Sequence, residues 1–96
     1  MGSRTNDSPS DDTLVADLRN TTKRYQIVRY LYSQKQPVTM ATLAKRTRMT
    51  LGAAIYHSAK LQKWGVITLE KAGKTFARIT DRGRAIYEQL LSGGEE

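Results

Sequence analysis

The basic residues of this chain cluster in a stretch that contains no acid. Residues 38–64 hold no Asp or Glu, and their five bases are Lys45, Arg46, Arg48, Lys60 and Lys63. Over all 96 residues, 16 Lys and Arg outnumber 9 Asp and Glu, which gives a formal net charge of +7. Clustered positive charge is typical of a protein that binds a polyanion, most often nucleic acid. The alternative is a basic surface whose side chains are only solvated.

Residue types that carry out enzymatic chemistry are scarce. The chain has a single His, His57, and no Cys, which excludes disulfide bonds, thiolate zinc sites and thiol nucleophiles. No glycine-rich loop follows a predicted strand to hold a phosphate group. We therefore expect a protein that is not an enzyme and that has neither a cofactor nor a metal site.

The length and the hydropathy pattern limit how the chain is organised. Ninety-six residues correspond to one domain. No run approaches the roughly 18 apolar residues that span a bilayer, and no apolar signal sequence follows Met1. We therefore expect a cytoplasmic protein without a membrane partner. The polar ends, residues 1–12 and 92–96, are predicted as disordered tails on a folded domain of residues 13–91.

The spacing of apolar residues predicts helices in the first part of the domain. A short amphipathic segment begins at Leu14, and a stronger helix follows over residues 22–35. Two more helices are predicted over residues 39–47 and 51–64, and Thr50 is a favourable N-cap for the second of them. Its inward face is expected to consist of Leu51, Ala54, Ile55, Ser58 and Leu61.

After residue 65 the period of the pattern changes to two. Residues 66–71 and 75–80 read as strands, and the glycine-containing segment 72–74 between them predicts a β-hairpin. A last helix is predicted over residues 81–91. The sequence thus indicates a mainly α fold with one small hairpin.

Four segments in this order resemble the winged helix-turn-helix regulators of the MarR, ArsR and PadR types. Residues 38–46 (VTMATLAKR) are similar to the first helix of the motif, and residues 49–55 (MTLGAAI) to its turn and the start of the recognition helix. Residues 61–67 (LQKWGVI) and 78–83 (RITDRG) resemble the entry to the wing and its end. The resemblance implies a three-helix core, a two-stranded wing and a C-terminal helix. The chain departs from the pattern at Arg48, where such motifs often have glycine.

The resemblance also implies a DNA-binding surface. Helix 51–64 would enter the major groove, and the wing, residues 66–80, would contact the backbone or the minor groove. Small residues on the helix would allow it to approach the DNA closely. Tyr56, His57 and Lys60 would extend polar groups towards the bases. Tyr56 could instead pack under the wing, and His57 could be an ordinary surface residue. The residues predicted to contact DNA are Thr39, Lys45, Arg46, Arg48, Thr50, Gly52, Ala53, Tyr56, His57, Lys60, Lys63, Lys71, Lys74 and Arg78.

The first and last helices are rich in apolar and aromatic residues that we expect to lie on the surface. In the families that this chain resembles, these helices form the homodimer, and exposed apolar patches often mark such contacts. The residues predicted at the dimer interface are Leu14, Leu18, Tyr25, Tyr30, Ile86, Tyr87 and Leu90.

These observations predict a homodimeric, sequence-specific DNA-binding protein, most simply a transcriptional regulator, whose partner is double-stranded DNA. The residues identify no small-molecule effector. One alternative is a DNA-binding protein of plasmid or viral segregation, replication or chromosome packing. Another is a winged helix that binds proteins, although the absence of acids in residues 38–64 favours DNA.

Overall fold

A computed structural model describes residues 9–93 of the chain. Residues 1–8 and 94–96, which we predicted as parts of disordered tails, lie outside the described residues. The elements run in the order α1 (Asp11–Asn20), α2 (Thr22–Tyr32), β1 (Val38–Thr39), α3 (Met40–Arg46), α4 (Leu51–Lys63), β2 (Ile67–Ala72), β3 (Lys74–Ile79) and α5 (Asp81–Gly93).

The outer helices extend beyond the predicted domain boundaries. Helix α1 begins at Asp11, because the Ser10 hydroxyl accepts a hydrogen bond from the Thr13 amide at 3.2 Å and caps the first turn. Helix α5 continues to Gly93. Both helices therefore extend two residues beyond the predicted range of residues 13–91.

The sheet contains a strand that the sequence pattern did not indicate. Strand β1 pairs with β3 in an antiparallel register, with Val38 opposite Ala77 and Thr39 opposite Phe76, so the strand order is β1-β3-β2. Two residues are too few to show an alternating pattern. The hairpin itself is tighter than predicted, since Ala72 pairs with Lys74 and Gly73 alone makes the turn at a φ of +81°.

One hydrophobic core joins all the helices to the sheet. It is formed around side chains that are almost completely buried, among them Ile27, Val28, Leu31, Leu43, Leu61 and Ile67. The packing of α3 and α4 against this core fixes the orientation of both helices, and β1 ties the start of α3 to the hairpin.

The structure corrects the predicted location of the apolar residues on the outer helices. Helix α1 packs against α5 and α2, so that its apolar stripe is covered within one chain. As a result, five residues that we predicted at a dimer surface belong to the core: Leu14, Leu18, Ile86, Tyr87 and Leu90. Tyr25 and Tyr30 are half-buried against that core.

The segment 78–83 closes the hairpin through a close backbone approach. The Thr80 hydroxyl accepts a hydrogen bond from the Gly83 amide at 2.9 Å and lies 2.7 Å from the carbonyl oxygen of Gly65. A Cβ atom at residue 83 would overlap the carbonyl oxygen of Val66. Only glycine therefore allows the first turn of α5 to pack this closely against the backbone just before β2.

Candidate nucleic-acid interface

Helix α4 carries the main candidate binding surface, and its orientation differs from the predicted one. The Thr50 hydroxyl caps the helix by accepting from the Ala53 amide at 3.0 Å. Ala54, Ser58 and Leu61 face the core as predicted, whereas Leu51 is 50% exposed and Ile55 is 49% exposed. Successive helical residues are about 100° apart, so Ile55 is turned well away from the buried Ala54. The assignment of Leu51 and Ile55 to the inward face was wrong.

A groove of about 600 Å³ lies between α4 and the hairpin. The start of α3 forms one end of it, α4 forms one wall and the two strands form the other. The residues that line this α4–hairpin groove are Thr39, Met40, Ala41, Leu51, Ile55, Ala59, Leu69, Lys71, Lys74 and Thr75. The groove thus unites three of the residues that we predicted to contact DNA, namely Thr39, Lys71 and Lys74.

The outer face of α4 is formed by Gly52, Tyr56 and Lys63, all of them exposed. Tyr56 is 57% exposed, so it does not pack under the hairpin. Its ring lies 5.5 Å from Nζ of Lys60 and meets the imidazole of His57 edge-on. Because Gly52 has no side chain and a Cβ there would meet nothing within 4 Å, this face leaves room for a close approach.

His57 lies on the side of α4 that faces α2, not on the outer face where we predicted it. Its Nδ1 is 2.9 Å from Nη1 of Arg24, and Arg24 in turn forms a salt bridge with Asp17 at 2.8 Å. Burial and the positive charge of Arg24 hold the pKa of His57 below its ordinary value. The imidazole is therefore neutral at physiological pH and serves a contact between helices.

Two further predicted residues share this side of the helix. Ala53 and Lys60 are half-buried, and Nζ of Lys60 lies 5.8 Å from the ring of Trp64. The guanidinium of Arg24 lies 5.4 Å from the same ring. The Asp17–Arg24–His57 contact was not predicted, and no spacing in the sequence indicates it, because the three residues lie on three different helices.

The remaining predicted contacts fall on other surfaces. Arg46 and Arg48 line a cleft of about 500 Å³ between α2 and the end of α3, together with Arg29. Arg78 lines a third cleft, next to Asp81. Lys45 is exposed on α3. The predicted residues therefore do not form one continuous patch.

Arg48 adopts a backbone conformation that favours glycine, although this chain has arginine at the position. Its φ of +59° lies in the left-handed region, the one such non-glycine residue among residues 9–93. This is the turn between α3 and α4, where the resembling motifs often have glycine. The chain makes the same turn with a residue that is less suited to it.

Comparisons with known proteins identify the fold. Neither a scan against protein-family models nor a search of curated protein sequences found a match. A MarR family transcriptional regulator from Streptomyces coelicolor matches in structure with a TM-score of 0.73 at 23% identity, over 85% of this chain and 59% of the regulator. The homodimeric winged helix-turn-helix DNA-binding domain of a Mycobacterium bovis protein matches with a TM-score of 0.71 at 19% identity, over 90% of this chain and 80% of that one.

The chain has the winged helix-turn-helix fold. In this fold α3 and α4 form the helix-turn-helix pair and the β2–β3 hairpin is the wing. The predicted fold class is therefore confirmed. A MarR family regulator from Silicibacter pomeroyi also matches, with a TM-score of 0.69 at 22% identity, over 81% of this chain and 59% of that chain. The winged helix thus spans less than two thirds of the length of both MarR regulators.

Within residues 9–93, no three His, Asp or Glu side chains are grouped so that they could hold a metal ion. In the same range, no helix is both long and apolar enough to cross a bilayer.

Proposed function

We propose that this winged helix is a sequence-specific binder of double-stranded DNA that regulates transcription as a homodimer. One observation carries the proposal: the start of α3, the exposed face of α4 and the wing frame one groove that is bordered by Lys71 and Lys74. No acid is present among the described residues that line it. A helix beside a basic hairpin suits the major groove of B-form DNA, which admits one α-helix.

The charge distribution supports a polyanionic partner. Lys63 lies on the outer face of α4, and Lys45 is exposed on the neighbouring helix. Lys and Arg side chains that neutralise phosphates release counterions, which makes the affinity depend steeply on salt. On this proposal the protein is located in the cytoplasm, in association with DNA.

The dimer is proposed on a smaller apolar surface than the one first predicted. Leu91 on α5 is 49% exposed, and a crevice between α1, α2 and α5 is lined by Leu18, Arg19, Thr22, Tyr25 and Leu90. The homodimeric state of the Mycobacterium bovis domain supports pairing. Sedimentation equilibrium at micromolar protein should give twice the chain mass of 10.8 kDa, and a monomer would contradict the proposed dimer.

The DNA-binding proposal is tested by selection from a pool of random duplexes, followed by titration of the selected duplex at several salt concentrations. We expect an enriched motif with two half-sites about 34 Å apart, one for each recognition helix. We also expect a linear fall of log affinity with log salt. Failure to bind any duplex at low salt would contradict the proposal.

A role in DNA packing or segregation is the second candidate. It is favoured by the composition of α4, which contains neither Arg nor Asn and so lacks two side chains that form bidentate contacts with bases. A footprint that spreads along the DNA without an enriched motif would support this candidate over a regulator.

A further inference from the structure

We propose that Leu51 and Ile55 read thymine methyl groups in the major groove, so that this protein recognises its sites mainly by apolar contact. This inference rests on the proposed function, because it requires α4 to enter the groove. It assigns base recognition to residues that the sequence pattern had placed in the core.

The first observation is the exposure of two large aliphatic side chains on the recognition helix. Leu51 and Ile55 are one helical turn apart and about half exposed, and Ala59 follows one turn later on the same wall of the groove. Met40 and Leu69 line the same groove from α3 and the wing. An exposed apolar strip of this kind needs a partner, because leaving it in water costs free energy.

The second observation is the charge around this strip. Lys71 and Lys74 line the same groove, and Lys63 is exposed on the adjoining face of α4. A purely apolar partner would leave these ammonium groups unpaired, whereas DNA offers phosphates at the rim and apolar groups at the base edges. Charge complementarity therefore favours DNA as the occupant over an apolar protein segment.

The third observation concerns the shape of the helix surface. Gly52 lies one turn before Ile55 and Tyr56, and nothing stands within 4 Å of the position that its Cβ would occupy. The backbone of α4 can therefore approach the floor of the major groove of DNA, where Leu51 and Ile55 would reach base edges.

Thymine is the base that suits these side chains. Among the four standard bases it alone presents a methyl group in the major groove, and aliphatic side chains recognise it by contact. Removing a methyl group from an apolar contact weakens binding by roughly fourfold, and so by roughly sixteenfold when one methyl is lost in each of two symmetric half-sites.

The test compares the selected duplex with the same duplex made with deoxyuridine in place of each thymidine. This change removes only the C5 methyl groups. If each half-site loses one contacted methyl group, we expect the wild-type protein to bind the thymine duplex roughly sixteenfold more tightly than the uracil duplex. The ratio is larger if Leu51 and Ile55 contact separate methyl groups. For Ile55→Ala and Leu51→Ala, the affinity for the thymine duplex should fall and the ratio between the two duplexes should move towards one.

Gln36→Ala is the control, since Gln36 is exposed in the segment after α2 and lies outside both the α4–hairpin groove and the proposed dimer surface. It should keep the wild-type ratio. Circular dichroism of each variant checks that the fold is intact, and the wild-type comparison stands even if a variant fails to fold.

Equal binding of the two duplexes by the wild-type protein would overturn the inference while leaving the proposed DNA binding in place. So would an unchanged ratio in both the Leu51 and the Ile55 variants. A further outcome is that the wild-type protein binds the two duplexes equally while Ile55→Ala self-associates more weakly in sedimentation. That result would identify the strip as a contact between copies of the chain. Absence of binding to either duplex would overturn both proposals.

Discussion

The guanidinium of Arg24 joins helix α2 to helix α4, because its Nη1 lies 2.9 Å from Nδ1 of His57. The same group donates through Nε and Nη2 to the carboxylate of Asp17 on α1, at 2.8 Å in each case. Arginine has no acceptor, so Nδ1 of His57 must accept and cannot carry a proton. One cation thus connects three helices, and protonation of His57 would break the connection to α4.

We expect the protein to lose stability on mild acidification. The pKa of His57 is lowered in the folded state by burial and by Arg24, so the unfolded chain takes up this proton at a higher pH than the folded chain. The contribution of His57 to stability is therefore complete above about pH 6.5 and is lost as the pH falls towards the folded-state pKa. The urea midpoint should be lower at about pH 5.5 than at about pH 7.5.

His57→Gln provides the control for this effect, since glutamine does not titrate. The variant should show a flatter dependence of the midpoint on pH over the same range. Asp17 does not interfere, because the hydrogen bond from Arg24 holds its pKa below the ordinary value of 3.8. An identical pH dependence in the variant and the wild type would assign the effect to another group.

At the turn of the helix-turn-helix, Arg48→Gly should be more stable than Arg48→Ala. Both changes remove the same charge from the same exposed position. At the φ of +59° found there, alanine retains the steric cost of the left-handed region and glycine does not. We expect a difference of about 1 kcal/mol in the free energy of unfolding, measured by urea denaturation. Equal stabilities would show that the turn relaxes in the alanine variant.

Replacement of Ser58 by alanine should stabilise the protein. Its hydroxyl lies on the buried face of α4, and Oγ is the one buried side-chain oxygen or nitrogen without a partner in the part of the chain that the structure describes. Removing such a group relieves its desolvation cost, which predicts a gain of about 1 kcal/mol in thermal or urea unfolding. Ser33→Ala is the comparison, because its hydroxyl is exposed and bonds to the Tyr30 carbonyl oxygen at 2.7 Å. A destabilised Ser58→Ala would indicate a hydrogen-bond partner such as a buried water molecule.

Lys74→Ala should weaken binding to selected and scrambled duplexes by the same factor. Lys74 stands at the turn of the wing and lines the α4–hairpin groove, where it can offer a point charge to a phosphate. The slope of log affinity against log salt should fall by about one for each subunit. Lys35→Ala removes the same charge from the exposed segment after α2 and should leave the slope unchanged. A loss confined to the selected duplex would instead indicate that Lys74 reads bases.

Much of the fold was predictable because its signals are local. The cap at Thr50 and the alternating pattern of the hairpin each depend on a few adjacent residues. The order of helices and the position of the wing followed from them. Strand β1 was not predicted, because its formation depends on pairing with β3, some 40 residues further along the chain.

The site was harder to predict, because exposure is a property of packing and not of residue type. Leu51 and Ile55 are residue types that are usually buried. They face the wing because α4 packs on the core through Ala54, Ser58 and Leu61. In the same way, Leu14 and Leu18 are buried because the neighbouring α2 and the distant α5 cover them. Local sequence thus determined which segments form helices and strands. The rotation of each helix about its own axis, which decides whether an apolar side chain is buried or exposed, is set by contacts between elements that are far apart in the chain.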